Sequence, residues 1–436
     1  MGAQSFTING IWILVEKTVR LIVALISSIW LARYLQPSQY GALSYAIVFV
    51  SLFTNLTSLG LRDVVIREYI NAKNSPDEEG LLTDVVLNTA IVLRCLAGIL
   101  VIFFIVLYIF FGVNDQLTKQ IILIISVGLI FKVSEVFEYP FEANIDTKST
   151  NIAKAIVWTS KMAVLGILIY YKQPIYVLAS LIPVEALISL IFLFFIYRNK
   201  KYRFQPLQLF SRQKAVDLLQ DSWPLMISGL AVIIYMRADQ VMLKSMVGNY
   251  EVGIYSAAAQ LIEAIYVFPV AIINSILPKL IQAKSQEDTI FMAQQQRLYD
   301  ATSLVSYGLI SCTFILSRTL VIYIYGESYA KAGVILALLA WSILPVTLGV
   351  ARNSFFITEN CPGIKLQIVL VSCLLNVGLN FWLIPILSSI GAAIATLISY
   401  YFAVFVTCFL WRRLRPTGYM LLQGLWPVRL FDSSNP

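Results

Sequence analysis

The sequence predicts an all-α protein that crosses a membrane about twelve times. Hydrophobic residues make up 59% of the 436 residues and charged residues only 13%, about half the share that is usual in soluble domains. Apolar runs of about 20 residues, the length that crosses a bilayer as a helix, recur from one end to the other. The first run carries internal charges and has no small-residue cleavage site, so we interpret it as a span and not as a signal peptide.

The charges between the apolar runs predict the orientation and the domains. Spans are predicted at roughly 11–32, 41–61, 85–111, 121–138, 152–170, 175–197, 222–245, 253–277, 299–322, 333–356, 365–385 and 389–411. Seventeen Lys and Arg residues lie in one set of loops and four in the opposite set, so both termini are predicted to be cytoplasmic. The predicted domains are an N-terminal six-helix bundle (1–197), a cytoplasmic linker (198–217), a C-terminal six-helix bundle (218–413) and a cytoplasmic interfacial tail (414–436).

The two halves share a pattern at an offset of 212 residues. Gly41 aligns with Gly253, and the serine and the alanine that follow three and five positions later match as well. At the same offset the loop 146–152 falls on 358–364. The first and seventh spans run in the same direction, so we predict a parallel duplication of one six-helix unit.

The first span contains charges that cannot face lipid. A charge at the centre of a spanning helix costs roughly 2.5–3.5 kcal/mol. Asn9, Glu16, Arg20 and Ser27 follow one another at helical spacing, with Lys17 beside them. This stripe is predicted to face a polar interior.

Fourteen charges lie within or at the edges of the predicted spans, nine of them cationic. They are Glu16, Lys17, Arg20, Arg94, Lys132, Glu135, Lys161, Glu185, Arg237, Asp239, Lys244, Glu263, Arg318 and Arg352. A water-filled cavity with this surplus of positive charge attracts anions. The alternatives are pairing between helices, such as Glu16 with Arg20, and extension of long side chains to the membrane interface.

The type of these residues suggests their roles. The guanidinium group donates a bidentate fork that suits phosphate, so Arg20, Arg94, Arg237 and Arg352, with Lys17, are predicted to bind a phosphate-bearing or other anionic substrate. The chain has no His, so a coupling ion or a gate is predicted to use Glu16, Asp239 or Glu263.

The sequence lacks the motifs of several function classes. There is no GxxxxGK[ST] loop, which excludes ATP hydrolysis by this motif. The five cysteines have no metal-ligand spacing. We therefore expect no cofactor, no metal and no catalytic residue. The net charge of +8 is attributed to cytoplasmic loops and a basic interior, and no nucleic-acid partner is expected.

Three stretches resemble bacterial polysaccharide flippases of the multidrug/oligosaccharidyl-lipid/polysaccharide exporter superfamily. They are LARYLQPSQYGALSYA (31–46), ADQVMLKSMVGNYEVGIYSAAAQL (238–261) and NFWLIPILSSIGAAIATLISYY (380–401). The resemblance implies two six-helix bundles that form a V around a central cavity. It also implies a multi-pass protein of the bacterial inner membrane that moves an undecaprenyl-pyrophosphate-linked oligosaccharide, an O-antigen-type repeat unit of lipopolysaccharide biosynthesis, to the periplasmic leaflet by alternating access.

The expected partners follow from this resemblance. They are the lipid-linked oligosaccharide, membrane lipid, H+ or Na+ as the coupling ion, and a polysaccharide polymerase. One alternative is a multidrug/cation antiporter of the same superfamily, for which an acidic interior is expected. Another is a membrane polysaccharide polymerase, which is expected to need a large outward loop, whereas the longest predicted here has ten residues.

Overall fold

A computed structural model describes residues 2–74, 81–112, 115–200, 202–359 and 361–426, and within these ranges it is almost entirely helical and has no strand. The α-helices are α1 Gly2–Ser58, α2 Leu61–Lys73, α3 Leu81–Gly112, α4 Gln116–Ser126, α5 Gly128–Phe131, α6 Tyr139–Ala143, α7 Lys148–Tyr170, α8 Ile175–Asn199, α9 Arg212–Met246, α10 Asn249–Gln286, α11 Asp288–Tyr325, α12 Ala330–Ala340, α13 Ile343–Ala351, α14 Asn353–Thr358, α15 Pro362–Tyr401, α16 Thr407–Leu410 and α17 Arg415–Gly424. 3₁₀ turns cover Lys132–Glu138, Glu327–Tyr329 and Arg412–Leu414, and a π-helical turn covers Phe402–Val406. The predicted stripe residue Asn9 has its side chain outside the described set, as do Lys201 of the predicted linker and residues 427–436 of the predicted tail.

Membrane-length helices account for most of the described chain. Nine are long and apolar enough to cross a membrane, or up to ten if one bent pair counts as a span. Two of the nine, 15–73 and 363–410, far exceed the roughly 20 residues that one crossing needs. The first is kinked at Gln36 and the second at Ser388, both with positive φ. These kinks fall where the sequence predicts one span to end and the next to begin, and the count of twelve stays a prediction.

The outer faces of these helices are apolar, as expected beside lipid. On α3, Leu96, Ile99, Leu100 and Phe103 are each between 58% and 61% exposed. An apolar surface of this kind on consecutive turns marks contact with a membrane in a chain of this composition. The protein is therefore an all-α, multi-pass membrane protein.

The chain divides into two compact units. Unit 1 comprises Met1–Leu35 and Ala42–Ile233, and unit 2 comprises Gln36–Gly41 and Ile234–Pro436. Both α1 and α9 therefore contribute to both units. The domain boundaries predicted at 197 and 218 stay a prediction.

In unit 1 the segment between α8 and α9 is fixed by side chains of α3. The fully buried Asn88 donates from Nδ2 to the backbone oxygen of Arg203 at 2.9 Å and accepts from the backbone N–H of Gln205 at 2.9 Å. Thr89 accepts from the backbone N–H of Ser211 at 3.2 Å. Burial and the neighbouring Tyr69 raise the pKa of Tyr202, so this phenol stays neutral against the same core. The segment is thus a packed part of unit 1.

Unit 2 contains a close crossing of two backbones with internal symmetry. A Cβ on Gly41 would collide with the backbone oxygen of Asn249, and a Cβ on Gly253 would collide with the backbone oxygen of Pro37. Pro37 and Asn249 are 212 residues apart, as are the two glycines. Glycine is required at both positions because any side chain would force the backbones apart. This reciprocal contact supports the predicted duplication.

Candidate functional site

A polar cavity of about 500 Å³ lies inside unit 1. Serine and threonine hydroxyls and the indole of Trp158 contribute to its lining. The charged residues that line it are Glu16, Arg20, Arg62, Lys132, Glu135, Glu138, Glu142, Lys154 and Glu185. Five carboxylates thus meet four cationic groups, so the positive surplus counted along the spans is not a property of this cavity.

An irregular helix places three of these charges on one side. The fourth predicted span is broken into short pieces, and Lys132–Glu138 forms 3₁₀ turns. Residues three apart eclipse one another in a 3₁₀-helix. Lys132, Glu135 and Glu138 therefore project together into the cavity, which a regular α-helix would not achieve so closely.

Every carboxylate of the cavity has a cationic partner. Lys154 lies 2.7 Å from Glu138 and 3.8 Å from Glu16. Arg62 pairs with Glu142 at 2.9 Å. The other pairs are Lys161 with Glu185 at 2.5 Å, Arg94 with Glu135 at 2.8 Å and Lys132 with Glu135 at 3.8 Å. The pairing neutralises charges that would otherwise be costly within a membrane.

Arg20 differs from the other cations of the cavity. Its guanidinium carbon lies 5.3 Å from the centroid of the Trp158 ring, a cation–π geometry. It lines the cavity, is exposed, and forms no ion pair with any residue that the structure describes. Its donors are therefore available to an anion. Lys17 is also exposed but does not line the cavity.

Arg94 pairs with a carboxylate that lines the cavity. It is 3% exposed and donates to the Tyr139 hydroxyl at 2.8 Å as well as to Glu135. Both donors hold the 3₁₀ stretch in place. The anion-binding role predicted for Arg94 stays a prediction, and its observed partners are protein groups.

The predicted residues of unit 2 form two arrangements. Arg237 makes a bidentate pair with Glu263 at 2.9 and 3.3 Å. Asp239 is buried, accepts from the Tyr255 hydroxyl and accepts from the backbone N–H of Gln240 at 2.7 Å. Among the described residues Asp239 makes no ion pair. The structure thus gives Asp239 only neutral donors, whereas Glu16 and Glu263 are each paired with a cation.

Arg352 is committed to the backbone of unit 2. It is 4% exposed and donates to the carbonyl oxygens of Val404 at 2.8 Å and Ala403 at 3.1 Å. These carbonyls belong to the π-helical turn and also accept from the Thr407 hydroxyl and the Cys408 thiol. The observed partners indicate a structural contribution, and the predicted substrate role stays a prediction.

Sequence reasoning missed several cavity residues, among them Lys154, Glu138 and Glu142. A signal for them exists. Glu135, Glu138 and Glu142 repeat at spacings of three and four, and Lys154, Trp158 and Lys161 do the same. Both series mark a polar helical face, but they lie near predicted span ends, where a polar face is easily attributed to the membrane interface.

Comparison with known proteins identifies relatives over most of the chain. A family model described as polysaccharide biosynthesis protein matches residues 6–284. The capsular polysaccharide biosynthesis protein CapF of Staphylococcus aureus is 22% identical over 385 residues, which cover 87% of this chain and 92% of CapF.

Solved structures share the fold. An inward-facing multidrug resistance MATE family transporter of the MOP superfamily has a TM-score of 0.72 at 14% identity. The match covers 95% of this chain and 96% of the transporter chain. The lipid II flippase MurJ in an inward closed conformation also has a TM-score of 0.72, at 15% identity, over 99% of this chain and 94% of its own. At these identities the similarity establishes the fold and not the substrate.

Proposed function

We propose, since this chain belongs to the polysaccharide biosynthesis protein family, that it is a flippase for an undecaprenyl-pyrophosphate-linked oligosaccharide. The substrate would pass from the cytoplasmic to the periplasmic leaflet of the bacterial inner membrane. Its oligosaccharide would be an O-antigen-type repeat unit. CapF supports the polysaccharide part of this proposal by its name, and the fold shared with a lipid II flippase supports the lipid part. The proposal includes alternating access and cytoplasmic termini.

The observation that carries the proposal is that Arg20 forms no ion pair with a described residue, in a cavity whose other charges are paired. A guanidinium group forms bidentate, charge-assisted hydrogen bonds with phosphate. The hydroxyls of Ser51 and Thr54 line the same cavity and can exchange hydrogen bonds with sugar hydroxyls. Arg20 would therefore hold the pyrophosphate or an acidic sugar, while the paired network keeps the rest of the cavity near neutrality.

Replacement of Arg20 in proteoliposomes tests this assignment. The probe is an undecaprenyl-pyrophosphate-linked sugar with a fluorophore on the sugar, and its transfer between leaflets is followed by quenching. Arg20→Ala is expected to slow transfer at least about tenfold, the equivalent of about 1.4 kcal/mol, and Arg20→Lys to restore only part of it. Arg318→Ala is the matched control, since Arg318 is exposed and does not line this cavity. Equal transfer by Arg20→Ala and the wild type would remove Arg20 from the proposal, and no transfer by the wild type would reject the function.

Within the same proposal, Asp239 is the residue that couples transport to an ion. A buried carboxylate with only neutral donors is costly unless it binds a proton or a cation. Asp239→Asn keeps the shape and removes the charge. It is expected to abolish transport driven by an H+ or Na+ gradient while exchange without a gradient continues. Asp63→Asn, an exposed carboxylate, is the control. Gradient-driven transport that survives Asp239→Asn would exclude this residue.

A second candidate function is export of cationic drugs. The observation in its favour is the excess of carboxylates over cations in the unit 1 cavity. Efflux measured in a drug-sensitised strain separates the two functions. Lowered drug accumulation that depends on Glu138 and Glu185 would favour the exporter.

A further inference from the structure

The part of α1 from Trp12 to Tyr34 runs beside α7 within unit 1, and the two form a seam. The contacts along this seam are Trp12 with Lys148, Glu16 with Lys154, Arg20 with Trp158, Trp30 with Gly166 and Tyr34 with Gln173. The order of the pairs shows that the helices are parallel. The seam separates the polar cavity on its inner side from the apolar outer surface.

The end of the seam near Tyr34 is tightly closed. The absence of a side chain at Gly166 admits the Trp30 ring, since a Cβ there would lie 3.1 Å from a ring carbon. Tyr34 donates its hydroxyl to the backbone oxygen of Gln173 at 2.9 Å. The packing of Trp30 on Gly166 and the hydrogen bond from Tyr34 to Gln173 leave little room for a substrate group to pass between the helices.

The opposite end of the seam is open to a second cavity. This groove has a volume of about 500 Å³. Its apolar lining consists mainly of Trp12, Val15, Val19, Ile152, Ala155 and Ile156. Glu16 lines the groove and also lines the polar cavity. Glu16 therefore faces both the apolar groove and the cavity that contains Arg20.

Three contacts close this end, and their separation would remove a cation from Glu16 alone. Glu16 lies 3.8 Å from Lys154, whereas Lys154 has a nearer carboxylate in Glu138 at 2.7 Å. Movement of α1 away from α7 would leave Lys154 paired. The other two contacts are cation–π contacts, which are weak at exposed sites.

We propose that the groove between α1 and α7 binds the polyprenyl chain of the lipid-linked substrate, and that the pyrophosphate reaches Arg20 past Glu16. This inference rests on the proposed function. The occupant is an isoprenoid because the site joins an apolar groove to an anion-binding residue, the two chemistries that a polyprenyl pyrophosphate combines. A chain that leaves lipid for such a groove gains no hydrophobic free energy. The groove therefore acts by shape, and it places the headgroup at the entrance of the polar cavity.

Obstruction of the groove tests the proposal. Ala155→Trp fills the groove, and Ala163→Trp adds the same side chain at an exposed position of the same helix that does not line the groove. Both variants are reconstituted and assayed with two fluorescent sugar pyrophosphates, one on an undecaprenyl chain and one on a water-soluble short prenyl chain. Ala155→Trp is expected to slow transfer of the undecaprenyl probe at least about fivefold and to leave uptake of the short probe unchanged. Ala163→Trp is expected to match the wild type with both probes.

A photoreactive undecaprenyl probe, with a diazirine in its first isoprene unit, keeps the proposal testable if Ala155→Trp does not fold. It should label α1 and α7 at the groove in the wild type. Label spread equally over groove and other lipid-facing residues would show ordinary bilayer contact and overturn the proposal. Unchanged transfer of the long probe by Ala155→Trp would also overturn it and leave the flippase function intact. A wild type that moves neither probe would instead reject the flippase function.

Discussion

Trp158 donates its indole N–H to Glu185 at 3.0 Å while the face of the same ring lies 5.3 Å from the guanidinium carbon of Arg20. One side chain thus orients an anionic and a cationic residue of the cavity. The ring holds Arg20 without neutralising it, which a carboxylate partner would do. A free but oriented guanidinium group is what capture of an anion needs.

The first prediction concerns this indole. Trp158→Phe keeps a ring under Arg20 and loses the donor to Glu185, so transport is expected to fall only about twofold to threefold. Trp158→Ala removes both contacts and is expected to cost about 0.5–1 kcal/mol more, in line with a cation–π contact. Transport rates of Arg20→Ala, Trp158→Ala and the double variant measure the coupling. Additive losses would mean that the two side chains act separately.

The second prediction separates a structural role of Arg352 from substrate binding. Arg352→Ala removes the buried guanidinium donors from the carbonyls of Ala403 and Val404, which keep only the Thr407 hydroxyl and the Cys408 thiol. The loss of these charge-assisted hydrogen bonds is expected to lower stability by roughly 1.5–3 kcal/mol. Arg352→Lys should restore little, because one ammonium cannot match the spread of the guanidinium donors. Thermal unfolding of the purified protein is the measurement. A normal unfolding temperature combined with lost transport would return Arg352 to the substrate site.

The third prediction tests the backbone crossing in unit 2. Gly253→Ala brings a methyl group against the backbone oxygen of Pro37, and overpacking of this kind costs about 1–3 kcal/mol. Gly308→Ala is the matched control, since nothing lies within 4 Å of its added Cβ. It lies inside α11 and is expected to stabilise by up to about 1 kcal/mol. The same unfolding temperature in both variants would contradict the crossing.

The fourth prediction concerns the segment that Asn88 fixes. Asn88→Ala leaves the backbone N–H of Gln205 without its acceptor, which costs about 1–3 kcal/mol. It also leaves the backbone oxygen of Arg203 with only the longer hydrogen bond from the Tyr197 hydroxyl, at 3.4 Å. The segment should detach, and trypsin should cleave after Arg203 several-fold faster. Asn71→Ala is the control, because Asn71 is exposed and donates to Glu68 of its own helix at 3.5 Å. Unaltered cleavage in Asn88→Ala would show that core packing alone holds the segment.

The family could be predicted from the sequence alone. Three motif-bearing stretches resembled the polysaccharide flippases, and the match of the family model to residues 6–284 confirms the family. The repeat of Gly41 at Gly253 indicated a duplication, and the two glycines meet in unit 2. A pattern of this kind is visible in the sequence because a local backbone requirement restricts the residue type at that position.

The sequence by itself determined the all-α membrane class, since a low charge content and recurring apolar runs leave no other way to satisfy the backbone in lipid. It also showed that charges lie inside spans. Only the tertiary structure decided which charges meet. Arg94 and Arg237 pair with carboxylates of other helical segments. Arg352 donates to backbone carbonyls, and Arg20 packs on an aromatic ring. The physical reason is that helical periodicity fixes the face on which a charge lies, whereas its partner depends on how neighbouring helices rotate and where, as at Lys132–Glu138, they depart from the α-helix.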